Sequence, residues 1–78
     1  MVSTKTELEN FVYNIKWLRR QYGLSRKQMA DILEIGIWSM GKLEKGEMPL
    51  RLGINVFFAV QKYFDISPSA QLSRRLGE

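Results

Sequence analysis

The stretch SRKQMADILEIGIWSMGKLE, Ser25 to Glu44, holds two short amphipathic segments on either side of Glu34-Ile35-Gly36. Ser25 is a helix N-cap type, because its hydroxyl can accept from a backbone N–H one turn into the helix. Met29, Ile32 and Leu33 follow at helical spacing, and Met40 and Leu43 repeat the pattern after the interruption. Ala30 is small where the second helix has to come close. Two short helices, a tight turn and a small residue at their contact predict a helix-turn-helix over residues 25–44.

Its flanks extend the pattern to an all-α, five-helix chain. Leu8, Phe11, Val12, Ile15, Leu18 and Tyr22 mark one face of a long first helix, opened by the capping-box spacing Thr4-x-x-Glu7 and stopped at Gly23. Trp17 lies off this stripe, where an aromatic side chain is expected to pack on a neighbouring segment. Lys45 to Pro49 is a loop, with Gly46 ending the third helix and Pro49 preventing its continuation. Ile54, Phe57, Val60 and Phe64 predict a fourth helix, and Phe58 and Tyr63 widen its apolar stripe as further core residues. Ser67 caps a fifth helix with Pro68 in its first position, Leu72 and Leu76 on its inner edge and Gly77 at its end.

The series Ile15-x-x-Leu18-Arg19, Gly23-Leu24-Ser25, Met29-Ala30 and Met40-x-x-Leu43-Glu44-x-Gly46 resembles the Cro/CI-type (XRE) helix-turn-helix domains of phage and bacterial repressors. The resemblance runs from about Ile15 to Leu72. It implies a compact lambda-repressor-like fold filling residues 1–78 as one domain. It implies a DNA-binding regulator, with the helix 36–43 entering the major groove. It also implies an ion pair between Arg19 and Glu44. A glutamate near a helix C-terminus is unfavourable with the dipole, and a cation partner would relieve it. The turn departs from the family. Its usual glycine is Glu34 here, so Glu34 is expected near positive φ, at a cost of about 1–2 kcal/mol. Gly36 stands where the family has a Ser or Thr cap, Gly41 weakens the third helix, and Pro49–Gly53 is longer than the usual connection.

Composition bounds the rest. The chain has 78 residues, no cysteine and no histidine. Disulfides, thiolate metal sites and the commonest general base are thereby removed. No carboxylate pair has a nucleophile beside it, and the glycines form no phosphate loop, so neither an enzyme nor a cofactor or small-molecule site is expected. With no membrane-length apolar run and no signal-like N-terminus, the expected compartment is the cytoplasm. Residues 16–51 carry eight bases and four acids, while the remainder carries four of each, so the net charge of +4 sits wholly on the helix-turn-helix and its flanks. That is the footprint of a polyanion binder.

Candidate contacts follow from the third helix, whose outer face carries Ile37, Trp38, Gly41, Lys42 and Lys45. The resemblance places base-reading residues at Ile37, Trp38 and Lys42. Lys42 can donate to guanine, Ile37 can meet a thymine methyl, and Ser39 adds a hydroxyl. The Trp38 indole N–H can reach a phosphate. Arg26 matches a phosphate-contacting position, reinforced by the helix N-terminus, and Lys27, Lys45 and Arg51 are further phosphate candidates. The plain alternative for each is a solvated charge. The apolar Ile37–Trp38 pair also admits a second function on the same fold, a protein-interaction module, and an antitoxin would combine both. Reading two half-sites calls for a weak or DNA-assisted homodimer, with the apolar surplus around Phe58, Leu72 and Leu76 as its surface.

Overall fold

The structure is a computed structural model that describes residues 4–47 and 53–77, with side chains from Thr6 onward. The Thr4 side chain of the expected capping box, the Pro49 connection and Arg51 lie outside the described residues. Five helices make up the described chain, with no strand among them: α1 (Thr4–Gln21), α2 (Arg26–Leu33), α3 (Ile37–Glu44), α4 (Asn55–Phe64) and α5 (Pro68–Ser73). No helix in these residues is long and apolar enough to cross a membrane.

One core joins the first four helices. Phe11, Ile15 and Leu18 come from α1, Met29, Ala30 and Leu33 from α2, Met40 and Leu43 from α3, and Val56 and Val60 from α4. Each strip recurs at three- or four-residue steps, which is what puts it on one helix face. The Phe57 ring meets Phe11 at 4.7 Å between centroids, tilted by 56°. Burying a side chain of this kind stabilises the fold by about 1.5–3 kcal/mol.

The helix ends follow local chemistry. At α2 the Ser25 hydroxyl accepts from the Gln28 N–H at 3.0 Å, while Gln28 Oε1 accepts from the Ser25 N–H at 2.8 Å. This reciprocal box leaves α2 firmly started. The helix ends at Glu34, which adopts the left-handed conformation expected for it, with φ 59° and ψ 40°. Asp65 closes α4 in the same way at φ 56°. Ser67 caps α5 by accepting from the Ala70 N–H, with Pro68 first in the helix.

Several expected inner residues stand elsewhere. Tyr22 falls beyond the end of α1 and is exposed, its ring against Phe64 at 5.0 Å, because Gly23 (φ 62°) turns the chain away. Phe58 and Tyr63 are not core residues; they are 52% and 60% exposed. Phe58 lies two residues, roughly 200° around the helix, from the buried Val56. Tyr63, in the last turn, lines an open groove beside Glu34 and Ile32. Ile54 precedes α4 and is exposed, and Val56 takes the buried position instead. Leu72 and Leu76 are half-buried against the core, which removes much of the apolar surplus assigned to them.

The fifth helix stops at Ser73, short of Gly77, because α1 claims the following backbone. Asn14 Nδ2 donates to the carbonyls of Gln71 (2.8 Å) and Arg74 (2.9 Å), and Asn14 Oδ1 accepts from the Leu76 N–H at 2.7 Å. Asn10 adds a bond from Nδ2 to the Leu72 carbonyl and accepts from Arg75 Nε. From the other side, Gln71 Nε2 donates to the carbonyls of Phe57 and Ile66. Asn10, Asn14 and Gln71 are all buried. Gly77, at φ 81°, lies so close to Trp17 that a Cβ there would collide with the indole, so Trp17 packs on a neighbouring segment as expected.

Candidate nucleic-acid interface

The inner side of α3 fixes how its outer side is presented. Met40 and Leu43 enter the core, and Glu44 is buried beside them. Glu44 accepts from Arg19 Nε on Oε1 at 2.6 Å, as the resemblance implied, and from Arg26 Nε on Oε2 at 2.8 Å. Arg19 reaches the Leu24 carbonyl as well, through Nη1 at 3.3 Å. A single carboxylate therefore ties α1, α2 and α3 together. Two guanidinium groups more than neutralise it, and they relieve the unfavourable meeting of an anion with the helix C-terminus.

The outer side of α3 is open. Ile37, Trp38, Gly41, Lys42 and Lys45 line one hollow of about 350 Å³, completed by Arg26 and Glu47. Trp38 is 84% exposed and Ile37 is 48% exposed. Gly41 forms part of the lining with nothing within 4 Å of where a Cβ would stand. Gly36, the residue before α3, has extended backbone and offers no side-chain cap. The first N–H groups of α3 thus lack the side-chain cap that α2 has.

A second groove adjoins the first. Lys16, Arg19, Arg20, Arg26, Glu44 and Lys45 line it, so Arg26 and Lys45 belong to both. The bases Lys16, Arg20, Arg26, Lys45 and Lys42 accordingly form a band from the later turns of α1 to the end of α3. Lys16 and Arg20 were not singled out from the sequence. Their signal was there: they sit four residues apart, off the apolar stripe of α1, and so share an outer face. Lys27 stays outside both grooves, exposed and paired with Asp31 at 3.3 Å across one helical turn. Ser39 is half-buried and does not line the hollow. Arg51 lies outside the described residues.

Such an arrangement can bind a polyanion along the band while presenting apolar groups at its end. Arg26 is the junction. Its Nε is committed to Glu44, yet its side chain remains 53% exposed. No protein-family model matches the chain, and no curated protein or solved structure matches it either.

Proposed function

We propose that this chain is a sequence-specific DNA-binding transcriptional regulator of the Cro/CI type, with α2 and α3 as a helix-turn-helix in a lambda-repressor-like fold. On this reading α3 enters the major groove, Lys42 and the Ile37–Trp38 pair meet base edges, and Arg26 holds a phosphate. The observation that carries it is the continuity of the cationic band with the free outer face of α3. A duplex offers that combination, since phosphates flank the base edges in the groove. The bond from Arg26 to Glu44 uses Nε, which aims the guanidinium and leaves its terminal nitrogens for a phosphate. The uncapped start of α3 adds backbone donors. The role is non-catalytic, in the cytoplasm of a bacterium or of a phage host. A weak or DNA-assisted homodimer would span half-sites ~34 Å apart, with the exposed Ile54, Phe58 and Tyr63 as its apolar surface.

Titration of duplex DNA at several salt concentrations tests this. Affinity should fall with a log–log slope of about −0.9 per neutralised phosphate, and Arg26→Ala should flatten it by about one unit. No duplex binding at ~50 mM salt and tens of micromolar protein would overturn the proposal, because nonspecific binding is already about 10⁻⁴–10⁻⁶ M at physiological salt. One observation favours a second reading, a protein-interaction module: the exposure of Trp38. Under it, Trp38→Ala leaves DNA binding intact.

A further inference from the structure

The outer face of α3 carries no Asn, Gln or Arg of its own. It has no side chain that can grip adenine in the bidentate manner, and only its lysines can donate to guanine. What it presents is an apolar wall, Ile37 and Trp38, around a stretch of bare backbone at Gly41. Leaving an indole 84% exposed places a large apolar surface in water, which favours any contact that removes it. Around the hollow stand three cations, Arg26, Lys42 and Lys45, against the single acid Glu47. An occupant of this place should be a small apolar group carried on a polyanion.

The major-groove edge of one base answers that description. Thymine shows a C5 methyl group beside its O4 acceptor, and its phosphates lie on either side of the groove. Resting on the duplex-binding reading above, we propose that α3 selects DNA by thymine methyl groups. A methyl is received in the hollow between Ile37 and Trp38, over Gly41, while Lys42 and Lys45 hold the flanking polar edge and backbone. Glycine at 41 is then a functional choice. The missing Cβ lets the methyl approach the helix backbone, and any larger side chain fills the space meant for the base.

The test uses the full chain and two short duplexes that differ by one methyl per pyrimidine. One is an alternating dA–dT duplex; in the other every dT is replaced by dU. Burying a single methyl is worth about three- to fourfold in affinity. The dU duplex should therefore bind at least about threefold more weakly at ~50 mM salt. Trp38→Ala should bring the two affinities together. Gly41→Leu, whose Cβ would meet no atom within 4 Å in the free protein, should lower dT-duplex affinity to the dU level and keep the slope with salt. Equal wild-type affinity for both duplexes would overturn methyl readout and leave duplex binding standing. Absence of binding to either would overturn both. A dT preference that survives in Trp38→Ala would remove the hollow from the explanation.

Discussion

Polar side chains are buried at two places in this molecule, and apolar ones are exposed at a third, with opposite meanings. Asn14, between α1 and α5, spends its amide on three backbone groups, and Glu44, under α3, spends both oxygens on arginines. Those atoms can be inside because each has a hydrogen-bond partner there. Ile37 and Trp38, on the far side of α3, have no such completion. A satisfied buried polar group belongs to the architecture, whereas an unsatisfied exposed apolar group points to something outside the chain. Substitutions on the two sides of α3 should therefore separate stability from binding.

The sharpest break of that contrast is the pair Arg19→Ala and Arg26→Ala together. Either alone leaves Glu44 one guanidinium, and should cost about 1–2 kcal/mol by denaturant unfolding, since both arginines reach solvent. The double variant leaves the carboxylate buried and alone. It should cost about 3–5 kcal/mol, more than the two single losses added. Simple additivity would show that Glu44 finds water or another donor.

Asn14→Leu comes next. It keeps the volume but strips donors and acceptors from the Gln71, Arg74 and Leu76 backbone, and should lower stability by about 3 kcal/mol. Duplex affinity measured on the folded fraction should be unchanged. A loss of affinity in step with stability would tie the seam to the binding face.

Glu34→Gly works in the other direction. Relief of the left-handed conformation and of an anion at the α2 C-terminus should outweigh the added chain entropy, raising stability by about 0.5–1 kcal/mol. A fall in melting temperature would mean that the Glu34 carboxylate has a partner worth more than its strain. Trp38→Ala, the smallest expected change, should move stability by no more than about 0.5 kcal/mol, as for a surface site, while duplex binding weakens. Were unfolding to change more than binding, Trp38 would be a packing residue after all.

Legibility in the sequence follows the same division. Helices appear wherever a period and a terminal residue agree: Ser25 at α2, Ser67 and Pro68 at α5, Gly23 after α1. The Glu34 conformation and the Arg19–Glu44 pair were reached through the resemblance, and the geometry has both. The outer face of α3 was also legible, because helical spacing alone collects Ile37, Trp38, Gly41, Lys42 and Lys45. The seam was not. Asparagine at positions 10 and 14 reads as solvated surface, and apart from Arg75 its partners are backbone groups 57 to 62 residues away, which carry no side-chain signature. Phe58 and Tyr63 misled for the reverse reason, since apolar character does not by itself put a residue inside. Lys16 and Arg20 join Arg26 only because α1 and α2 both pack against α3, and Arg26 itself carries a structural bond along with its proposed phosphate. The acid Glu47 reaches the hollow only because the chain turns back after α3.

The Asn14 amide also sets an order of events during synthesis. It leaves the ribosome 62 residues before Leu76, whose N–H it accepts. Until that later stretch arrives, α1 has an amide with no place to settle, and the loop that must close is a long one. A nascent chain ending after α3 already holds every base of the cationic band but not the seam that completes α1. The arginines that meet on Glu44 are both made by residue 44, so the tie between α1, α2 and α3 can form first and the closing of α1 by the last residues comes after it.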